Sequence, residues 1–445
     1  MTALAATATF RAKLMEAQQP SSVGRPSVIT GANLQQSLHR YLDAYQRAND
    51  FSGMLTITRH DSIIAQIASG YADRSRRVLN GMHTAFRVAS VTKSFTGAAI
   101  SLLIRDGTLR VTDTLGRYVP EYAAAANITI EQLLVHRSGV PELDSVPHPL
   151  STPAFIALLQ QRALLFKPGA DERYSNEGYA LLALVVERVS GIPFSQFVRQ
   201  RILDPLGMTH SGEMLGVWPV RDHATGYVPG HGRDVMPQVP DEWTLVGAGS
   251  LYSTTPDLVR WADGILHRRV LDVWALRPYG WGTRTYLGHP LIEQSGQLEG
   301  YNSYVAVYPA DSITVVFLSN IQSGMSNRVA EDMAGMLFGG PTSLPIVISP
   351  AVVARAVLRE YDGTYRTPSI PIPMHLSTRG TNLFMRWGDY PFAHVLTPIG
   401  YDTAFYRSEY ANIRFERDAR GRVVRSVWKW EGGDPVVFVR DSTAH

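Results

Sequence analysis

The alternation of apolar and polar positions divides the chain into blocks of different period. A helical repeat over residues 32–49 comes first. Two strand-like runs follow, "GMLTITR" and "IIAQIASG", separated by His60–Asp61, which predicts a hairpin. "FRVASVTKSFTGAAISLLIRDG" then reads as a helix opening at Ser90 and closing at Gly107, with almost no polar face. Residues 111–249 are helical with many loops and include "TIEQLLVHRSG" and "NEGYALLALVVERVSG". A second hairpin, "SYVAVYP" and "ITVVFLSN", turns at Ala310–Asp311–Ser312, and the helix "NRVAEDMAGMLFG" closes the block near Gly339.

Strands at both ends of this block with helices between them predict an α+β domain. Its early and late segments should meet in one antiparallel sheet flanked by helices, beside a helical subdomain. The boundaries read as a lead-in over 1–28, a domain over 29–340 and a Pro-rich linker over 341–350, within the stretch "GGPTSLPIVISP" that begins at Gly339. Residues 351–445 change character. Short runs such as "NLFMRWG", "IRFERD" and "RVVRSVWKWEG" alternate with turn residues and predict a small all-β barrel or sandwich.

Composition narrows the chemistry. The chain has no cysteine, so thiol catalysis, disulfides and thiolate metal sites are excluded. A net charge of +3 without a Lys/Arg block argues against a nucleic-acid partner. No apolar run is long enough to predict a membrane span. The first residues lack the basic flank and cleavage site of a signal peptide, so a cytoplasmic protein is expected. The histidines show no paired-ligand spacing, and neither a metal nor another cofactor is expected. No Gly-x-Ser-x-Gly elbow occurs.

Lysine is scarce, at positions 13, 93, 167 and 429 only. Lys93 therefore stands out on an apolar helix, where an unpaired ammonium is costly. Ser90 lies three residues before it, on the same helical face. A serine at a helix start has free backbone N–H groups near its oxygen, and a desolvated neutral lysine could take its proton. A second Ser-x-x-Lys, Ser426 to Lys429, falls in a strand pattern whose period puts the two on opposite faces. Tyr410 and Asn412 likewise read as strand residues, and His136 as a loop brace.

The first match has company: "ERYSNEGYALLALVVE" places Tyr174 and Asn176 before an apolar helix, and "IEQSGQLEGYNSYVAVYP" brings a glycine to the last hairpin. With "ITIEQLLVHRSGVPEL", "ILDPLGMTHSG" and "GAGSLYSTTPDLVRWADGIL", the stretch from Phe51 to Leu337 resembles the serine β-lactamase and penicillin-binding protein superfamily. The likeness is to its class C-like branch of family VIII esterases, D-amino-acid peptidases and acyltransferases. The tail after Ser349 resembles the lipocalin-like appendage of some members.

The resemblance implies Ser90 as acylated nucleophile, Lys93 as base and Tyr174 as proton shuttle. It implies an oxyanion hole from the backbone N–H groups of Ser90 and Gln297. Asn176, Gln294, Ser295 and Gly296 would contact the substrate, although Asn176 also suits a helix cap. Relatives usually carry Lys or His at the place of Gln294. A neutral amide there argues against recognition of a substrate carboxylate. Three functions follow as expectations: a hydrolase of an ester or amide, possibly D-configured, of a small-molecule or peptide acyl substrate; an acyltransferase or peptide cyclase; or a non-catalytic binding protein. Specificity is expected in residues 142–173 and 226–243.

Overall fold

The computed structural model describes residues 28–441 apart from 61, 144–150, 215–216, 230–244, 268, 270–278 and 389–392. The lead-in up to residue 27, residues 144–150 of the first segment expected to set specificity and residues 230–243 of the second lie outside the described residues.

Two hairpins far apart in sequence close one antiparallel sheet. β1 (Gly53–Arg59) and β2 (Ser62–Ser69) form the first; β3 (Gly282–Tyr286), β4 (His289–Leu298), β5 (Tyr301–Tyr308) and β6 (Ile313–Ser319) follow late in the chain. Their spatial order is β2-β1-β6-β5-β4-β3. β1 pairs with β6, Gly53 opposite Ser319 and Arg59 opposite Ile313, so the early and late segments meet as expected.

Both faces of this sheet are covered, and every residue of β5 and β6 is buried. Alternate residues serve opposite cores. Leu55, Ile57, Tyr304, Tyr308 and Phe317 face helices α1 (Ala32–Arg47) and C-terminal α5 (Val329–Phe338). Met54, Val305, Val307, Val316 and Leu318 face the larger core that holds α2 (Thr92–Arg105), α3 (Asn176–Ser190) and α4 (Thr255–Leu266).

α2 is the central helix, with every residue from Thr92 to Leu103 buried. Fully burying side chains such as Phe95, Ile100 and Leu102 is worth about 1.5–3 kcal/mol each. This helix opens later than its pattern predicts. Ala89–Val91 form a 3-10 turn and the α-helix proper begins at Thr92. Ala89 sits at φ 46°, a left-handed conformation that strains an L-residue and turns Ser90 out of the helical ladder.

The C-terminal region is a closed barrel of eight antiparallel strands, from Gly363–Thr367 to Val436–Arg440, whose first and last strands pair. Its interior is filled by Met374, Trp387, Trp428 and Phe438, among others, and closure leaves no sheet edge. Ser426 points inward and accepts from Trp428 Nε1 at 3.1 Å, whereas Lys429 is exposed outside.

Tyr410 departs from the strand reading. It ends a turn at φ 52°, just before the strand Ala411–Arg417, and docks on the N-terminal domain. Its hydroxyl donates to Asp50 Oδ2 at 2.8 Å, and Arg407 Nη1 reaches the same oxygen at 2.7 Å. A Cβ at Gly324 would lie 2.3 Å from the Tyr410 ring, so glycine is required for that approach.

Candidate active site

The strained turn at Ala89 sets Ser90 between three elements. From α2, one turn on, comes Lys93; from the segment before α3 comes Tyr174; and from β4 comes Gly296. Ser90 Oγ lies 2.6 Å from Tyr174 Oη and 3.2 Å from Lys93 Nζ. Lys93 Nζ also donates to Asn176 Oδ1 and to the Ala248 carbonyl, both at 2.8 Å. A neutral amine has two N–H donors and one lone pair. With Asn176 and Ala248 accepting the two donors, the lone pair is left to Ser90.

The electrostatics favour that protonation state. Lys93 is 1% exposed, and burial pulls it down from its usual range to about 7, with Glu142 and Glu177 opposing the shift. Burial holds the Tyr174 phenol well above its ordinary value, so it is a neutral hydroxyl able to donate and accept. His136, held at φ 58°, stacks on the Tyr174 ring with centroids 4.6 Å apart. Its Nδ1 accepts from Ser175 N at 3.1 Å. Burial, then Lys93, push this imidazole down to about 3, so it braces Tyr174 without competing for the proton.

Asn176 is not the cap of α3. Ser175 takes that place, its side chain accepting from Gly178 N at 3.0 Å. Asn176 is thereby free to hold Lys93.

On β4 the side chains alternate. Gln294 and Gly296 turn toward the Ser90 loop: Gln294 Nε2 donates to the Ser90 carbonyl at 3.0 Å, and a Cβ at Gly296 would sit 2.9 Å from Ser90 N. Ser295 and Gln297 alternate to the other side. Ser295 is exposed, and the Gln297 amide donates to Ser408 O of the barrel at 3.3 Å. The main chain of Gln297 continues β4 immediately past the contact at Gly296.

Sequence reasoning missed the Ala248 carbonyl, the buried Glu177 and the half-buried Glu142. A carbonyl leaves no signal in a sequence. Glu177 does, as one of only two acids in the otherwise apolar run of α3. Among the described residues no three His, Asp or Glu side chains converge as a metal site.

A family model described as Beta-lactamase matches residues 38–338, more than half of the chain. The chain belongs to the beta-lactamase family. It is 27% identical over 288 residues to a putative penicillin-binding protein, PbpX, of Bacillus subtilis, covering 63% of this chain and 73% of that one. It is 26% identical over 307 residues to Protein flp of Staphylococcus aureus, covering 63% of this chain but only 61% of that longer protein. Among solved structures, the octameric penicillin-binding protein homologue from Pyrococcus abyssi superposes with a TM-score of 0.60. It is 22% identical and covers 91% of this chain and 98% of its own, a likeness of fold that takes in most of the barrel as well. Among the described residues no single helix of this beta-lactamase family member is long and apolar enough to cross a membrane.

Proposed function

We propose that the protein is a serine hydrolase that cleaves an ester or amide bond of a neutral acyl donor through an acyl-enzyme on Ser90. One observation carries the reading: Ser90 Oγ lies within hydrogen-bonding distance of both the Tyr174 hydroxyl, at 2.6 Å, and the buried Lys93 amine, at 3.2 Å. Ser90 Oγ attacks the acyl carbon while its proton passes to Lys93, directly or across Tyr174. The carbonyl oxygen becomes an oxyanion, held by the N–H groups of Ser90 and Gln297. When the bond to the leaving group breaks, Tyr174 hands it a proton and is refilled from Lys93. Water then enters by the same route in reverse and frees the acid and Ser90.

Gln294 supports a neutral donor. Its amide brings no charge, and one of its two N–H groups is engaged by the Ser90 carbonyl.

The test is intact-mass analysis after exposure to a p-nitrophenyl ester, with peptide mapping of the adduct. A label on Ser90, and its absence from Ser90→Ala, are expected. A label on another serine, or none with several esters, refutes the proposal. Product analysis with an added amine separates hydrolysis from acyl transfer.

A further inference from the structure

A second concave site lies away from the active-site strand. The end of α1, the entry to β1 and the exit of β2 enclose an open cleft of about 460 Å³. β6 and β5 stand between this edge of the sheet and β4, which carries Gly296. The residues lining the cleft include Arg74 and Arg77 and no acid. Both arginines belong to a small hairpin in which Tyr71–Asp73 pairs with Val78–Leu79. Its base is fixed: Ser52 Oγ donates to Tyr71 O at 3.0 Å and accepts from Asn80 Nδ2 at 3.0 Å. At Gly70, φ 70°, the chain passes so close that a Cβ would lie 2.4 Å from Ser52 Oγ. Arg74 is half-buried and held in place. Its Nη2 donates to Asn49 Oδ1 at 2.7 Å, its guanidinium lies 4.5 Å over the Tyr227 ring, and its backbone N–H donates to Tyr227 Oη at 2.8 Å. Arg77 closes the turn at φ 56°, its N–H donating to Arg74 O at 3.4 Å, and is itself exposed. The acids next to these segments are turned elsewhere. Asp73 accepts from Ser75 Oγ, Arg76 N and Arg76 Nε, and Asp50 from Arg407 and Tyr410 of the barrel.

One rim is apolar. Tyr71 and Leu79 are direct cross-strand partners and so share a face of the hairpin. Tyr71 lines the cleft, and Leu79 beside it is 66% exposed. Gln46 and Asn49 also line the cleft and use their side-chain oxygens on Ser69 and Arg74; their NH₂ groups are donors of the kind an oxyanion accepts. Guanidinium groups grip phosphate with paired N–H donors, and two of them match the nearly two charges of a phosphate monoester at neutral pH. We propose that this cleft binds a small organic phosphate carrying an apolar chain. The phosphate sits between Arg74 and Arg77 beside the two amides, and the chain lies along Tyr71 and Leu79. The site does not depend on the reaction at Ser90.

Isothermal titration of the full chain at low ionic strength, with inorganic phosphate and with octyl phosphate, tests the proposal. Octyl phosphate should bind about tenfold or more tightly than inorganic phosphate, because each methylene it buries adds affinity. Arg77→Gln changes an exposed side chain and should weaken both ligands about tenfold, as should Arg74→Gln. Leu79→Ser should weaken octyl phosphate and leave inorganic phosphate unchanged. Octanoate has a similar chain and a single charge, and should bind more weakly than octyl phosphate. No binding of octyl phosphate, or binding that Arg77→Gln leaves intact, overturns the proposal whether or not Arg74→Gln folds. Octanoate binding as tightly as octyl phosphate overturns the choice of phosphate. Sedimentation with phosphatidylglycerol vesicles in the absence of octyl phosphate binding overturns it in favour of a membrane contact.

Discussion

Replacing Gly296 by alanine tests the contact between β4 and the Ser90 turn. The added Cβ would lie 2.3 Å from Val88 O, 2.5 Å from Ser303 Oγ and 2.9 Å from Ser90 N, where ordinary contact begins at 3.4 Å. Against Val88 O the overlap is about 1 Å, and two of the three atoms are backbone and cannot rotate away. Ser303 cannot yield freely either, because its hydroxyl donates to Val88 O at 2.7 Å. β4 and the turn carrying Ser90 must therefore separate by several tenths of an ångström to about 1 Å. Overpacking of this kind costs about 1–3 kcal/mol of stability. The larger effect is on rate. The proposed oxyanion donors belong to the two segments pushed apart, and losing one such donor typically lowers kcat by about 10²–10³-fold. Gly296→Ala should thus lower kcat for a neutral ester by about 10²-fold with little change in KM. Its Tm should fall by no more than a few degrees for each kcal/mol lost. The assay is steady-state kinetics beside thermal unfolding of the same preparation. A variant with wild-type kcat would show that Gly296 does not set the distance between β4 and Ser90, and the proposed oxyanion hole would fall with it.

Because only neutral Lys93 accepts the serine proton, kcat/KM should rise about tenfold per pH unit below about 7 and level off above it. Lys93→Arg should lose on the order of 10²–10⁴-fold despite keeping its charge; near-normal rates would refute the base. The same depressed value means that the unfolded chain binds the extra proton between about 7 and 10.5, so the contribution of Lys93 to stability rises with pH across that window, as urea midpoints would show. Gln294→Ala removes one bond to the Ser90 carbonyl, worth about 1 kcal/mol, and should cost a neutral ester only several-fold. Gln294→Lys should shift relative kcat/KM toward carboxylate-bearing substrates by about tenfold; a Gln294→Ala enzyme as inactive as Ser90→Ala would mean that the amide takes part in the chemistry. Arg407→Ala takes the ion-pair partner from the wholly buried Asp50 and leaves it the Tyr410 hydroxyl, and should cost about 3 kcal/mol, read as a fall in Tm, while turnover of a small ester per folded molecule stays within a few-fold. An unchanged Tm would show that the barrel is not held through Asp50.

The α+β architecture, the barrel and the pairing of Ser90 with Lys93 were legible from the sequence for a local reason. Hydrophobic period, turn residues and a scarce lysine on an apolar helix are all written over a few neighbouring positions. The resemblance added Tyr174 and Gly296, which no local pattern connects to Ser90. Tertiary structure decided what depends on two segments meeting. It placed the strain at Ala89, so that Ser90 precedes the α-helix instead of opening it. It gave the cap of α3 to Ser175 and left Asn176 for Lys93. It turned Tyr410 out of its strand and into the socket at Gly324. It also brought the Ala248 carbonyl to the amine, and set Glu142 and Glu177 where their charge opposes the effect of burial on it. The proton affinity of Lys93 is a sum over burial and charges contributed by α2, α3 and two loops, and such a sum exists only once the chain has folded those elements together.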